Sequence, residues 1–73
     1  MNKTIVKNII KAVNNELDND LVYVIIETDC HRYNCYEPIY IYDDGDKIAF
    51  YDDDDTRIVL HHKSIDSIKI ADM

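Results

Sequence analysis

Residues 39–51 read IYIYDDGDKIAFY, and this stretch decides the fold that the sequence predicts. Isoleucine and tyrosine alternate before the central turn, which is typical of a half-buried strand with two different faces. Gly45, within the segment Asp43–Asp46, can supply the positive φ angle that a tight hairpin turn needs. After the turn, Ile48 and Phe50 are expected to point inward from a second strand. The stretch therefore predicts an antiparallel hairpin.

A helix is predicted before the hairpin, over residues 3 to about 17. Apolar residues recur there at helical spacing and form one stripe, which consists of Ile5, Ile9, Ile10, Val13 and Leu17. Asn2 is the predicted N-cap. Lys3, Lys7 and Lys11 follow one another at intervals of four residues, so they form a basic ridge beside the stripe.

Further strands are indicated by runs of β-branched and aromatic residues. Including the hairpin, the predicted strands are residues 21–28, 36–42, 47–51, 57–62 and 65–70, with a polar loop at 29–34. A helix followed by four or five antiparallel strands predicts an α+β fold. The helix packs on the sheet, which is either open and curled or closed into a small barrel. The predicted core consists of Ile5, Ile9, Val13, Val24, Ile26, Ile39, Ile41, Ile48, Phe50, Ile58, Leu60, Ile65 and Ile68.

Length and composition limit the class of protein. The chain has 73 residues, of which 47% are hydrophobic, so we expect a single domain over residues 1–73. The longest uncharged apolar run, residues 21–26, is too short to span a membrane, and we expect a cytoplasmic protein. The net charge of −7 argues against direct binding to DNA.

No catalytic constellation is visible in the sequence. The chain offers no paired acid and base in an apolar setting, no phosphate-binding loop and no nucleophile with an oriented base. We therefore expect a protein that is not an enzyme and that uses no cofactor.

Acidic residues are concentrated in one part of the chain. Residues 43–55 contain seven aspartates and one lysine, a net charge of −6. A strand rises about 3.3 Å per residue, close to the roughly 3.4 Å between phosphates along one DNA strand, so consecutive aspartates can imitate a phosphate backbone. The alternatives are that these residues serve turns and solubility, or bind calcium. The candidate partner-binding acids are Asp43, Asp44, Asp46, Asp52, Asp53, Asp54 and Asp55.

Tyrosines supply a candidate apolar contact beside these acids. Tyr40 and Tyr42 alternate with isoleucines, and Tyr51 follows Phe50, so all three are expected on the open face of the sheet. Exposed tyrosine beside carboxylates is typical of a protein-binding surface. Alternatively, the tyrosines shield the sheet or form a contact between copies in a homodimer or small ring.

The cysteines and histidines form a weak metal pattern. Cys30, Cys35 and His61 could hold zinc if their loops meet, but the Cys-x4-Cys spacing is wider than that of a usual zinc knuckle. A strained disulfide between the two cysteines, or two free thiols, are the alternatives. We assign no metal site from the sequence.

Two resemblances bear on function. Residues 60–68 read LHHKSIDSI, which resembles the second signature of the bacterial Sm-like RNA chaperones. That resemblance implies a small-barrel module that binds RNA or a nucleotide as an oligomeric ring, here through the basic ridge. In overall character, the small acidic chain resembles phage-encoded inhibitors of bacterial defence, including anti-CRISPR proteins. We therefore predict an inhibitor that mimics nucleic acid and binds a basic nucleic-acid-binding protein, with the Sm-like module as the alternative.

Overall fold

The computed structural model describes residues 1–73, which form one α-helix and six strands. They are α1 (Lys3–Glu16), β1 (Val22–Thr28), β2 (Arg32–Cys35), β3 (Tyr40–Tyr42), β4 (Lys47–Tyr51), β5 (Arg57–His61) and β6 (Ile65–Asp72). The strands make two antiparallel three-stranded sheets, in the orders β2-β1-β6 and β3-β4-β5. The predicted α+β class is confirmed, with six strands in two sheets instead of four or five in one. No helical segment has the length and apolar character needed to cross a membrane.

Helix α1 begins at the predicted cap, and its buried face includes Ile10, Val13 and Leu17 of the predicted stripe but not Ile5. Asn2 Oδ1 accepts hydrogen bonds from the backbone N–H groups of Thr4 and Ile5, at 2.7 and 3.3 Å. Ile5 is nevertheless 50% exposed, so its assignment to the core is wrong. At about 100° per residue, Ile5 points about 100° away from Val6, which the core does contain. The residues that α1 and its end contribute to the core are Val6, Ile10, Val13 and Leu17.

Strand β2 lies where the sequence predicted mainly a loop. It pairs with β1, with Tyr33 opposite Ile26 and Cys35 opposite Val24. The strand predicted at residues 36–42 is shorter in the structure, where β3 includes only Tyr40–Tyr42. Residues 36–39 lie outside the strand, and they include Pro38, which has no N–H for a sheet ladder and restricts the backbone of Glu37 before it.

The core joins the two sheets and the helix. Phe50 of β4 is fully buried and meets Tyr33 of β2 edge-on, with ring centroids 5.6 Å apart. Five residues of the predicted core are only partly buried and pack at its margin: Ile9, Ile41, Ile58, Leu60 and Ile68. The buried hydrophobic residues absent from the predicted core are Val6, Ile10, Leu17, Val22, Ile25, Cys35 and Ala49.

Two polar contacts fix α1 to the chain around β3. The Asn14 side chain donates to Ile39 O at 2.9 Å and accepts from Ile39 N at 2.8 Å. At the other end of β3, Gly45 lies in the hairpin turn with a φ of +104°. This agrees with the positive φ that was predicted for Gly45 from the sequence. A Cβ atom on Gly45 would lie 2.4 Å from Lys3 O, so the turn and the first turn of α1 are in direct backbone contact.

Candidate functional site

The aspartates form two separate turns at opposite ends of β4. We call Asp43–Asp46 the first acidic turn and Asp52–Asp55 the second acidic turn. β4 has five residues, so the two turns are separated by about 16 Å of strand. The structure therefore divides the acidic segment into two groups, and their surroundings differ.

The first acidic turn is partly neutralised by α1. Lys7 forms an ion pair with Asp44 and donates a hydrogen bond to it, which lowers the pKa of that carboxyl below its usual range. Lys3 and Lys11 act on the same pKa in the same direction. The basic ridge predicted from the sequence thus faces the first acidic turn, and Lys7 compensates the charge of Asp44.

The second acidic turn has no such compensation. None of its four carboxylates forms a salt bridge. Asp52 Oδ1 accepts hydrogen bonds from Asp53 N at 2.8 Å and from Asn34 N at 3.3 Å, which ties the turn to β2. Because the segment is a closed turn, it does not have the extended spacing of a phosphate backbone that the sequence suggested. It presents a compact concentration of negative charge.

A shallow depression of about 80 Å³ lies against the second acidic turn. Its walls are Tyr36, Glu37, Tyr51, Asp52, Asp53 and Asp55. The Tyr36 ring is held by stacking on Tyr23, with centroids 5.4 Å apart. Tyr36 and Glu37 were missed by sequence reasoning, because they lie about 15 residues before the turn and only the fold brings them to it.

The three predicted tyrosines lie on the open face of the β3-β4-β5 sheet. Tyr40, Tyr42 and Tyr51 are 61, 42 and 44% exposed. Arg57 crosses this face and donates to the Tyr42 hydroxyl at 3.1 Å. Of the three, only Tyr51 lines the depression, so Tyr40 and Tyr42 form an adjoining surface.

The predicted zinc alternative does not form. Cys30 lies exposed in the β1–β2 turn and Cys35 is buried in β2, and both are free thiols. Neither belongs to a group of three potential metal ligands, whereas His61 lies beside Asp46 and His62. The disulfide alternative is excluded as well.

The two thiols are expected to differ strongly in reactivity. Burial raises the pKa of the Cys35 thiol, which also donates a hydrogen bond to Glu37 O at 3.0 Å. We expect a colorimetric thiol assay to detect one thiol in native protein and two in concentrated guanidinium chloride. Cys30→Ser should leave no thiol that reacts in the native state. Equal reaction rates for both thiols would contradict the burial of Cys35.

The depression has the chemistry of a site for a basic side chain. Carboxylates accept charge-assisted hydrogen bonds from guanidinium or ammonium groups, and the faces of tyrosine rings attract the same cations.

No protein-family model, curated protein or solved structure matches the chain.

Proposed function

We propose that this chain is a non-catalytic inhibitor that occupies the nucleic-acid-binding site of a bacterial defence effector. It would act in the cytoplasm of a bacterial host and be encoded by a phage. The observation that supports the proposal most is the second acidic turn, Asp52–Asp55. Its four carboxylates form no salt bridge, and Asp52, Asp53 and Asp55 line a depression that also has tyrosine walls.

Charge complementarity supports a basic partner. A groove that binds nucleic acid is lined with lysine and arginine, and the proposed inhibitor presents carboxylates in place of phosphates. Tyr36 and Tyr51 would contact the apolar stems and cationic ends of these side chains. Tyr40 and Tyr42 would extend the contact over the open face of the sheet, where the protein has exposed aromatic area.

The Sm-like alternative has less support from the charges. It requires the basic ridge to contact RNA, but Lys7 is paired with Asp44. Lys3 and Lys11 also lie near enough to this carboxyl to lower its pKa. An RNA phosphate would have to compete with the first acidic turn for these lysines.

Capture of partners from a bacterial lysate, in parallel with and without nuclease treatment, tests the proposal. Four substitutions, Asp52→Asn, Asp53→Asn, Asp54→Asn and Asp55→Asn, remove the charge of the second acidic turn and keep its hydrogen-bond acceptors. Asparagine also tolerates the positive φ of 65° at Asp55. The matched control neutralises four other exposed aspartates with no salt bridge: Asp18, Asp20, Asp66 and Asp72.

We expect wild type and control to capture a basic nucleic-acid-binding protein that mass spectrometry identifies. Affinity should fall steeply with added salt, and nucleic acid should compete for the same partner. The second-turn variant should bind at least about 10-fold more weakly, since it loses several charge-assisted contacts. If only RNA or a nucleotide is recovered and the second-turn variant behaves like wild type, the proposal is wrong.

A further inference from the structure

Three potential metal ligands meet where the first acidic turn contacts the turn between β5 and β6. His61 Nε2 lies 3.4 Å and His62 Nε2 lies 3.9 Å from Asp46 Oδ1. The three ligand atoms all lie within 4.8 Å of one another. The backbone holds the two turns together, because His62 N donates to Asp46 O at 2.9 Å. This cluster is independent of the second acidic turn, on which the proposed function rests.

We propose that Asp46, His61 and His62 bind a zinc ion. Zinc bonds of 2.0–2.1 Å in a tetrahedron place neighbouring ligand atoms about 3.3–3.4 Å apart. The separation between His61 and Asp46 already has this length, and the separation between His62 and Asp46 exceeds it by about half an ångström. The third separation, between the two histidines, is below 4.8 Å. An octahedral ion with bonds of about 2.1 Å needs separations of about 3.0 Å, which fit less well. Two imidazoles and one carboxylate are also a ligand set that suits zinc.

His62 is already oriented as a ligand. Its Nδ1 lies 2.7 Å from Met1 O, a carbonyl that can only accept, so Nδ1 carries the proton. In the neutral ring, the lone pair is therefore on Nε2, which faces Asp46. A backbone carbonyl that holds the second nitrogen of a histidine in this way is a usual companion of metal-bound imidazole. The side chain of His62 is only 14% exposed, so the packing around it also restricts the ring.

His61 must change its hydrogen bonding when the ion binds. Its Nδ1 accepts from Lys63 N at 3.2 Å, so without metal the proton of the neutral ring is on Nε2. Coordination through Nε2 moves that proton to Nδ1 and releases the Lys63 N–H to water. The bond to Lys63 is long and exposed, so its loss opposes binding only weakly. The Lys63 amide is consequently a local reporter of metal binding.

The site has three protein ligands and an accessible fourth position. The side chains of His61 and Asp46 are 41 and 36% exposed, which leaves room for a water molecule to complete the tetrahedron. The bound ion would join the β3–β4 turn to the β5–β6 turn. Zinc is therefore expected to raise the thermal stability of the protein as it binds the folded state.

Calorimetric titration of chelator-treated protein with zinc chloride tests the proposal. We expect one zinc ion per chain in wild type. Asp46→Asn, His61→Gln and His62→Gln should each weaken binding by at least about 10-fold, because each removes a direct ligand. His61→Gln leaves the contact between His62 and Met1 in place, so it remains informative if His62→Gln does not fold. In ¹⁵N-resolved NMR spectra, zinc should shift the Lys63 amide of wild type.

Two controls separate this site from other places where zinc could bind. His31→Gln removes the remaining histidine, whose Nδ1 lies 3.2 Å from Cys30 Sγ. Asp53→Asn with Asp54→Asn removes two carboxylates of the second acidic turn. Both controls should bind zinc like wild type. If a control loses as much affinity as His61→Gln, if the Lys63 amide does not respond, or if wild type does not saturate at millimolar zinc, the proposal is overturned.

Discussion

Phe50→Ala is expected to lower the free energy of unfolding by about 3–5 kcal/mol. Phe50 is fully buried in β4 and packs edge-on against Tyr33 of the other sheet, so its removal leaves a cavity between the two sheets. A 73-residue domain has a total stability of about 4–11 kcal/mol, so this loss removes about a quarter of the stability or more. Urea unfolding followed by far-UV circular dichroism measures the effect.

Two further variants make the Phe50 result interpretable. Phe50→Leu keeps an apolar side chain and should cost about 1–2 kcal/mol, which remains measurable if the alanine variant unfolds. Val59→Thr, a β-branched replacement on the exposed face of β5, should change stability by at most about 0.5 kcal/mol. A cost below about 1 kcal/mol for Phe50→Ala would show that the two sheets do not depend on this side chain.

Gly45→Ala is expected to cost about 2–4 kcal/mol, the second largest effect. One part is the backbone strain of an L-residue at a φ of +104°. The other part is steric, because the added Cβ would lie 2.4 Å from Lys3 O, a backbone atom that cannot move aside without shifting α1. The same urea experiment measures the loss.

Asp55→Gly is the control for Gly45→Ala, because it makes the reverse change, to glycine, at a turn residue with a positive φ. Asp55 has a positive φ of 65° in the second acidic turn, and glycine accepts that conformation without strain. Its substitution should therefore change stability by less than about 1 kcal/mol. Similar small effects of Gly45→Ala and Asp55→Gly would mean that the contact between the hairpin turn and α1 is adaptable.

Local patterns predicted the parts of the fold that local physics determines. The hairpin over residues 39–51 has an alternating pattern and a turn glycine, and Asn2 is a capping residue directly before an amphipathic segment. These features needed no knowledge of the rest of the chain. The buried stripe of α1 was harder, because Ile5 and Val6 begin two overlapping stripes, and only packing on the sheets selects between them.

The parts that could not be predicted depend on contacts between distant residues. Strand β2 pairs Tyr33 and Cys35 with β1, although the polar residues His31, Arg32 and Asn34 made the segment resemble a loop. The depression combines Tyr36 with the second acidic turn, and the cluster of Asp46 with His61 joins residues 15 positions apart. Sequence spacing indicates which side chains have suitable chemistry, but tertiary structure determines which of them meet.

The two hydrogen bonds between Asn14 and Ile39 have a consequence for association between copies of the chain. A side-chain amide has the same kinds of donor and acceptor as a peptide group. Asn14 therefore forms hydrogen bonds with both the N–H and the C=O of Ile39, as a neighbouring strand would. The preceding residue, Pro38, has no N–H to offer. The entry to edge strand β3 therefore cannot template a strand from a second molecule, which protects this end of the sheet from edge-to-edge aggregation.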